Sequence, residues 1–284
     1  MEHECIIAPM ITPEYEQALM AWRASREKSI RRENGWLALA GLFWLNEGWN
    51  RIGSEPGSDI LLPDRLPASV GSIHLEGKDT VLTVEPGVAV KVNGEAVTQV
   101  TLKPDRDETP SFITLDGVRM VLIDRPAGMG LRLWDNEREE RRLFPPRQWY
   151  PTNEALRLPA RYEVHSKPRK VLLPDVFGEL LESQMEGQVT FELDGKTHTL
   201  QATRDEDGHL DLNFADLTNG KGTYPSGRYY YSAEPVPVGD FILDFNYAYS
   251  PPCAFTPYAT CAFAPAENRL PIPIEAGEIY PAHE

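Results

Sequence analysis

Four tight-turn dipeptides, set among stretches of alternating apolar and polar residues, constrain this chain more than any other feature of its sequence. They are Asn93-Gly94, Asp116-Gly117, Asp194-Gly195 and Asp207-Gly208. Asn-Gly and Asp-Gly tolerate the positive φ angles of two-residue hairpin turns, and alternation with a period of two is typical of strands. Repeated hairpins indicate antiparallel sheets and argue against a parallel α/β sheet. The predicted fold class is mainly β, with two packed antiparallel β modules of the sandwich or barrel type.

A single helix is predicted near the N-terminus. Thr12 is a good N-cap, Pro13 suits the first helical position, and Asn34-Gly35 ends the apolar pattern. The basic run over residues 23–32 falls at the C-terminal end of this helix, where cations complement the helix dipole. We therefore interpret the run as a solvated complement to the dipole and not as a binding patch.

Prolines mark the predicted domain organisation. Pro145-Pro146 interrupts regular structure, because proline lacks the backbone donor and its ring clashes with the preceding turn. From Pro251 onward prolines are frequent and periodicity is lost, which predicts an ordered, irregular C-terminal arm packed on the protein. We predict a helical segment over residues 1–35, a first β-sandwich module over 36–145, and a second β module over 146–284 that the arm closes.

The charge balance limits the classes of partner. The 284 residues include 28 Lys plus Arg against 43 Asp plus Glu, for a formal net charge of −15. Phosphate backbones and anionic membranes repel such a chain, so neither nucleic acid nor a membrane is a predicted partner. The longest apolar stretch, residues 36–45, is about half of the ~20 residues that a spanning helix needs, and no secretory signal is evident. We expect a cytoplasmic location; the oligomeric state stays open.

The cysteine and histidine spacing does not indicate a metal site. Cys5, Cys253 and Cys261 are too few for a disulfide framework, and they lack the paired spacing of structural zinc ligands. The six histidines include no His-x3-His arrangement. No metal and no cofactor are predicted, and the thiols of a cytoplasmic protein are expected to be reduced.

Polar side chains concentrate in two stretches of the second half. Residues 220–231 (GKGTYPSGRYYY) set polar groups around glycine turns, and residues 244–269 carry charged, amide and phenol groups on a proline-stiffened backbone. Such a backbone holds side chains in place at little entropic cost, and buried polar groups on it must pair with each other or with a ligand. The candidate ligand-binding residues are Thr223, Tyr224, Arg228, Asp244, Asn246, Tyr249, Cys253, Tyr258, Cys261, Glu267, Asn268 and Arg269.

Two interpretations of these residues stay open. In the first, Asp244, Glu267 and Arg269 line one polar pocket that binds a ligand or performs acid–base chemistry. In the second, the same groups form a hydrogen-bonded network that holds the arm on the sheet, and Asp216 makes a structural ion pair with Arg228. The first interpretation predicts a binding or catalytic site, whereas the second predicts that these residues only stabilise the fold.

The first half carries a series of turn and strand residues in a recognisable order: Ile52-Gly53-Ser54, Asp59-Ile60, Ser69, His74 and Asn93-Gly94. This order resembles a forkhead-associated domain, a β-sandwich that recognises phosphothreonine. Ser54 stands where that family has its phosphate-binding arginine, and the Ser-to-His spacing differs. Because loss of a charge-assisted bond to a dianion removes much of the binding energy, the resemblance implies the sandwich architecture more than phosphopeptide binding.

Four longer stretches carry a second resemblance. Residues 41–63, 220–231, 244–261 and 265–277 resemble a bacterial and archaeal family known as domain of unknown function 1684. The resemblance covers most of the chain from about residue 20. It implies that these stretches belong together in one recurring protein type, and it implies no activity.

Three functional hypotheses follow. The chain binds, and in one version transforms, a small polar ligand in a pocket that the C-terminal arm bounds. The first alternative is a hydrolase that depends on a carboxylate or on a cysteine served by His165, His198 or His209. The second alternative is a phospho-dependent or other protein-interaction module. Whether the protein is an enzyme stays open.

Overall fold

The computed structural model describes residues 10–280, and the chain separates into two compact units. The sandwich unit comprises residues 29–144, and the arm unit comprises the described parts of residues 1–28 and 145–284. Cys5 and most of the N-terminal stretch considered above for a signal lie outside the described residues. Within residues 10–280, no helix is long and apolar enough to cross a membrane.

The predicted N-terminal helix is present as α1 (Pro13–Arg31). The backbone amide of Tyr15 donates to the Thr12 hydroxyl at 3.2 Å, which is the cap that the sequence predicts. Leu19 is fully buried in the core of the arm unit, with Tyr15 and Trp22 packed against the same core. Asn34, with a φ of +55°, lies just beyond the end of the helix, as the Asn-Gly signal indicates.

Two sheets enclose the core of the sandwich unit, and their strands pair antiparallel except for the short parallel pair of β2 and β3. One has the strand order β1-β11-β10-β9-β6-β7 and the other the order β3-β2-β4-β5-β8, with the short helix α2 (Glu139–Leu143) after the last strand. The strands are β1 (Leu39–Trp44), β2 (Gly48–Gly53), β3 (Ile60–Leu61), β4 (Gly71–Glu76), β5 (Asp79–Val84), β6 (Lys91–Val92), β7 (Glu95–Ala96), β8 (Gln99–Thr101), β9 (Phe112–Leu115), β10 (Val118–Arg125) and β11 (Gly128–Asp135).

The arm unit is built on a single bent sheet of six strands, ordered β17-β16-β15-β14-β13-β18. One face of this sheet packs on the core. The opposite face, which we call the second face, is polar over part of its area. The strands are β12 (Gln148–Trp149), β13 (Arg157–Pro174), β14 (Leu180–Leu193), β15 (Lys196–Arg204), β16 (Leu210–Phe214), β17 (Arg228–Tyr231), β18 (Gly239–Asp244) and β19 (Glu278–Ile279). The antiparallel pairing and the dominance of strands confirm the predicted fold class.

Three of the four predicted turns have the backbone conformation that the dipeptides favour. Both residues of Asn93-Gly94, Asp116-Gly117 and Asp194-Gly195 have positive φ, and each pair joins two adjacent antiparallel strands. Asp207-Gly208 differs, because only Gly208 has a positive φ, at +91°. There the Asp205 carboxylate accepts the His209 amide at 2.8 Å and organises a longer loop between β15 and β16.

The C-terminal arm, residues 251–280, follows an irregular path over the sheet of the arm unit. It contains short 3-10 turns at Pro252–Ala254 and Ala266–Asn268, and β19 near its end pairs with β12. Bridges join Asp175 to Ala262 and Ala215 to Arg269. The arm is therefore ordered by contacts with the sheet and not by its own regular structure, as its prolines predict.

We predict that Gly227→Ala destabilises the arm unit strongly. Gly227 has a φ of +103°, and a Cβ atom there would lie 2.7 Å from the carbonyl oxygen of Phe214. Gly220→Ala is the matched control, because its φ of +75° imposes the same class of backbone strain while nothing lies within 4 Å of the added carbon. Denaturant unfolding should show Gly227→Ala to be less stable than Gly220→Ala by about 1–3 kcal/mol. Equal losses would show that the close approach of the two backbone segments is unimportant.

Candidate functional site

Arg228 and Asp216 form an ion pair whose side chains are fully buried. The Arg228 Nη2 atom lies 2.7 Å from Asp216 Oδ2 and also donates to the Ile274 carbonyl oxygen at 2.7 Å, and Nη1 donates to the Ala276 carbonyl. The remaining Asp216 oxygen accepts the Thr218 hydroxyl at 2.6 Å and the Ile274 amide at 3.1 Å. Since these bonds join the sheet to the arm, Arg228 serves structure, in agreement with the second interpretation.

Thr223 and Tyr224 extend this cluster. The Thr223 hydroxyl lies 2.8 Å from the Thr218 hydroxyl and accepts Asn219 Nδ2 at 2.9 Å, and the Thr223 side chain is buried. The Tyr224 hydroxyl donates to the Cys253 carbonyl oxygen at 3.0 Å. Tyr224 therefore joins the arm to the turn that precedes β17, whereas Thr223 is bonded within that turn.

Asp244 and Asn246 belong to a second network. Asp244 Oδ2 accepts Arg157 Nε at 2.9 Å and the Tyr15 hydroxyl at 2.7 Å, while Oδ1 accepts the Asn246 side-chain amide at 2.8 Å. Asn246 in turn exchanges two hydrogen bonds with the Asn153 backbone, at 2.8 and 3.0 Å. Protein groups thus occupy both Asp244 oxygens and the polar atoms of the Asn246 side chain.

The polar pocket expected from Asp244, Glu267 and Arg269 does not assemble. Glu267 is half exposed and pairs with Arg169 at 3.1 Å, and Arg269 is exposed. Asp244 instead lies in the Arg157 network. The Arg269 backbone bridges to Ala215, just after β16, whereas Asp244 is the last residue of β18. Three strands separate β16 from β18 in the sheet order.

The remaining candidates have structural partners. The Tyr249 backbone pairs with that of Tyr229 at 2.8 and 2.9 Å, and the Arg26 guanidinium stacks 3.6 Å above the Tyr249 ring. The Tyr258 amide donates to the Thr256 hydroxyl at 3.4 Å, and the Tyr258 side chain is partly buried. Neither contact indicates a ligand. Cys253 and Cys261 contact each other and are treated below.

An ion pair that the sequence did not predict joins Arg147 and Glu278. The two side chains are 1% and 3% exposed, and Arg147 Nε donates to Glu278 Oε1 at 2.7 Å. Glu278 Oε2 also accepts the Ser250 amide at 2.6 Å. The partners are 131 residues apart in the chain, so no local pattern could have indicated the pair.

One cavity of about 150 Å³ lies between the arm and the second face of the sheet, and we call it the arm cavity. Only Asn268 among the predicted site residues lines it, although Tyr229 comes from the predicted 220–231 stretch. The lining residues are Leu173, Ser183, Met185, Gln201, Thr203, Asp211, Asn213, Tyr229, Ala262, Pro265 and Asn268.

Strand alternation explains the polarity of the arm cavity. In β16, Leu210, Leu212 and Phe214 are fully buried in the core, so Asp211 and Asn213 project from the opposite face. The same alternation in β15 places Gln201 and Thr203 on that face, and in β17 it places Tyr229 there. The polar positions of the strand sequences HLDLNF and THTLQAT carried this signal, which the sequence analysis did not use.

Two polar groups of the arm cavity lack a protein partner. Asn213 Oδ1 is buried and accepts no hydrogen bond within the described part of the chain, although Asn213 Nδ2 donates to the Ala262 carbonyl at 2.7 Å. The Asp211 carboxylate accepts no side-chain hydrogen bond from residues 10–280, and its exposed fraction shows that it still reaches solvent. Desolvation by the surrounding protein nevertheless raises the pKa of Asp211 to about 6, against a weaker lowering by Arg26.

The other polar groups of the arm cavity are held in place. Asn268 Nδ2 donates to the Gln201 and Asn213 carbonyl oxygens at 2.9 Å each, and Asn268 Oδ1 accepts the Gln201 amide at 2.6 Å. Gln201 Oε1 lies 3.0 Å from His165 Nε2 and accepts Arg169 Nη1 at 3.2 Å. Asn268 therefore fixes the distance between the arm and the two strands that form the cavity floor.

Among residues 10–280, the histidines and carboxylates assemble neither a metal centre nor a cysteine–histidine pair. His209 Nδ1 lies 2.8 Å from the Ser232 carbonyl oxygen, and His198 stacks on Phe191. No histidine of the described range hydrogen-bonds to Cys253 or Cys261. In that same range, no group of three or more His, Cys, Asp or Glu side chains could hold a metal ion.

In the sandwich unit, the position that corresponds to a phosphate-binding arginine serves structure. The Ser54 hydroxyl donates to the Leu66 carbonyl oxygen at 2.8 Å. Asn93 Oδ1 accepts the Phe112 amide at 2.9 Å, and its Nδ2 donates to the Pro110 carbonyl at 3.2 Å. These side chains therefore support loops of the sandwich.

Comparison with known proteins gives a family without an assigned activity. Residues 142–279 match the family model described as "Protein of unknown function (DUF1684)". No curated protein matches the chain. The chain is similar to an uncharacterised protein of Haloarcula marismortui solved by NMR in solution, with 32% sequence identity over 50% of this chain and 80% of that chain and a TM-score of 0.42.

Forkhead-associated domains are also among the similar structures, in agreement with the sequence prediction. One is the FHA domain of FhaA, crystallised with an intracellular domain, with 20% identity over 32% of this chain and 85% of that chain and a TM-score of 0.22. Another is an FHA domain with phosphothreonine-dependent interactions, with 21% identity over 32% of this chain and 79% of that chain and a TM-score of 0.21.

We predict that removal of Arg228 unfolds the arm unit at moderate denaturant, because Arg228→Met leaves the Asp216 carboxylate buried without its cation. Breaking a buried pair in this way costs about 3–5 kcal/mol. Lys170→Met is the matched control, since Lys170 pairs with Glu182 at 2.8 Å while both side chains are more than half exposed, and exposed pairs contribute about 0–1 kcal/mol. Urea unfolding of both variants measures the difference; a loss below about 1 kcal/mol for Arg228→Met would contradict the structural role.

Proposed function

The chain belongs, through residues 142–279, to the family described as protein of unknown function (DUF1684), and from this premise we propose that it binds a small polar molecule in the arm cavity. The observation that carries the proposal is a cavity lined by a buried acceptor without a partner in residues 10–280, Asn213 Oδ1, and by the solvent-accessible carboxylate of Asp211. Buried polar groups in proteins are almost always satisfied, so an acceptor without a partner indicates a missing donor.

The size of the cavity limits the ligand. A volume of about 150 Å³ equals that of a cavity that holds one benzene molecule, and it is well below the roughly 300–1,000 Å³ of sites for drug-sized ligands. A molecule of about six to ten non-hydrogen atoms fits this space. Nucleotides and peptides are larger than the cavity as it stands.

The chemistry of the lining favours a ligand that donates hydrogen bonds. The unpartnered groups, Asp211 and Asn213 Oδ1, are both acceptors. A protonated amine would pair with the Asp211 carboxylate and lower its pKa from about 6, because a nearby cation favours the charged form. Small primary amines, amidines and amino alcohols are therefore the ligand class of the proposal. We also propose that the protein is cytoplasmic, as its sequence predicts.

We predict that such amines stabilise the protein thermally and that Asp211→Asn weakens their binding. Each amine is paired with its hydroxyl analogue, which has the same shape without the charge. Loss of a charge-assisted hydrogen bond corresponds to about a tenfold or greater rise in Kd. Glu139→Gln is the control variant, because Glu139 is an exposed acid of the sandwich unit that does not line the cavity. If no compound of either series raises the unfolding temperature at millimolar concentration, the proposal fails.

The raised pKa of Asp211 predicts a specific dependence of stability on pH. Folding raises this pKa from 3.8 to about 6, so the folded state binds more protons than the unfolded state across that window. The contribution of Asp211 to stability is therefore present at pH 4 and is lost as the pH rises through about 6. Because the carboxylate reaches solvent, we expect the loss to be smaller than a buried group would give.

Asp211→Asn removes this titration. Relative to the parent protein, the variant should gain stability between pH 4 and pH 7 and show a constant difference above that range. Urea midpoints at several pH values provide the measurement. Asp205→Asn should instead differ from the parent by a constant amount between pH 4 and pH 7 and change only below about pH 3.8, because hydrogen bonding from the Tyr231 hydroxyl lowers the pKa of Asp205. Parallel profiles for the parent and Asp211→Asn would contradict a raised pKa.

A carboxylate-dependent hydrolase is a second candidate, favoured by the near-neutral pKa of Asp211. A general base works best when its pKa lies close to the operating pH, and Tyr229 lines the same cavity. Incubation of the stabilising compounds and their acyl derivatives with the parent and Asp211→Asn, followed by mass spectrometry, separates binding from turnover. The Ser54 hydroxyl bonds to the Leu66 carbonyl oxygen, so no group at that position favours the phospho-dependent alternative.

A further inference from the structure

Two cysteines of the C-terminal arm contact each other. The Cys253 backbone amide donates to Cys261 Sγ at 3.2 Å, so the Cys261 sulfur lies directly against the backbone of Cys253. Cys253 is partly exposed, whereas Cys261 is buried at 6% exposure. Neither residue lines the arm cavity, so the pair is a feature distinct from the proposed ligand site.

Neighbouring contacts hold the backbone segments of both cysteines in place. Cys253 lies in the 3-10 turn Pro252–Ala254, and the next residue after Cys261, Ala262, is anchored by its bridge to Asp175. The Tyr224 hydroxyl also holds the Cys253 carbonyl at 3.0 Å. The backbone on each side of the pair is therefore held by its own contacts. The proximity of Cys253 and Cys261 does not depend on a flexible loop.

We propose that Cys253 and Cys261 form a redox-active dithiol that closes to an intramolecular disulfide, with Cys253 as the attacking thiol. The 3.2 Å contact of Cys261 Sγ with the Cys253 backbone amide brings the two residues as close as a disulfide needs. The difference in exposure assigns the roles, because a disulfide oxidant from solvent reaches Cys253 and not Cys261.

The electrostatics of the pair agree with these roles. The hydrogen bond from the Cys261 thiol lowers the pKa of Cys253, and the Cys253 sulfur together with burial raises the pKa of Cys261. The thiolate is the nucleophile in thiol–disulfide exchange. The exposed member of the pair is therefore the member that ionises first.

The reaction balances with a low-molecular-weight disulfide such as oxidised glutathione as the oxidant. The Cys253 thiolate attacks one sulfur of the oxidant, its S–S bond breaks, and one glutathione thiolate leaves and takes up a proton. Cys261 then loses its proton and attacks Cys253 Sγ, which expels the second glutathione as thiolate. The protein loses two protons and two electrons, and these convert one oxidised glutathione into two reduced molecules.

The experiment uses the full chain with Cys5→Ser, which leaves two thiols. The reduced protein is exposed to oxidised glutathione at neutral pH, quenched with N-ethylmaleimide and measured by intact mass and peptide mapping. We expect a product that lacks two hydrogens, takes up no maleimide and yields a linked peptide containing Cys253 and Cys261. Cys261→Ser should instead retain one glutathione on Cys253, and Cys253→Ser should react at least about tenfold more slowly than the parent.

Two results would overturn the proposal. One is a parent protein that keeps both thiols free, or that accumulates glutathione on them without forming the linked peptide. The other is a Cys253→Ser variant that is modified at Cys261 as fast as Cys261→Ser is modified at Cys253. The linked peptide is sought in the chain with both cysteines present, so the central result does not require either serine variant of the pair to fold.

Discussion

The buried ion pair between Arg228 and Asp216 is the interaction on which the arm unit depends. An irregular segment cannot satisfy its own backbone groups, and an unpaired carbonyl buried away from water is costly. Arg228 satisfies two such carbonyls of the arm, those of Ile274 and Ala276. The same guanidinium donates to the Asp216 carboxylate. The charge of the guanidinium is neutralised within the same cluster, so the pair couples the end of β16, the start of β17 and the arm.

Other side chains also attach the arm by bonding to groups that are distant in the sequence. Asn268 bonds to backbone groups of two neighbouring strands, and Glu278 accepts both the Arg147 guanidinium and the Ser250 amide. These three attachments fix the arm on the sheet at separate points. The arm cavity adjoins the Asn268 attachment, where the arm covers a polar part of the sheet face that it does not fill. The space for the proposed ligand therefore lies where the arm is attached through Asn268.

The polar groups of the arm unit therefore fall into two classes. Those that sequence reasoning selected for their density, such as Asp244 and Arg228, are occupied by protein partners. Those that remain available, Asp211 and Asn213, alternate with core residues in an ordinary strand. A dense run of polar residues on stiff backbone is typical of a segment that must satisfy itself, whereas a site needs groups that the fold leaves without partners.

Local chemistry determined what the sequence alone could predict: the Thr12 cap, the hairpin turns at Asn93-Gly94 and Asp194-Gly195, and the irregular course of the arm. Each depends on residues within a few positions of one another. Tertiary structure alone decided that Arg147 meets Glu278, that Glu267 is separated from Asp244, and that Asp211 faces a cavity. Those outcomes depend on the register of long strands and on the path of a non-periodic arm, which contacts between distant residues select and no local pattern encodes.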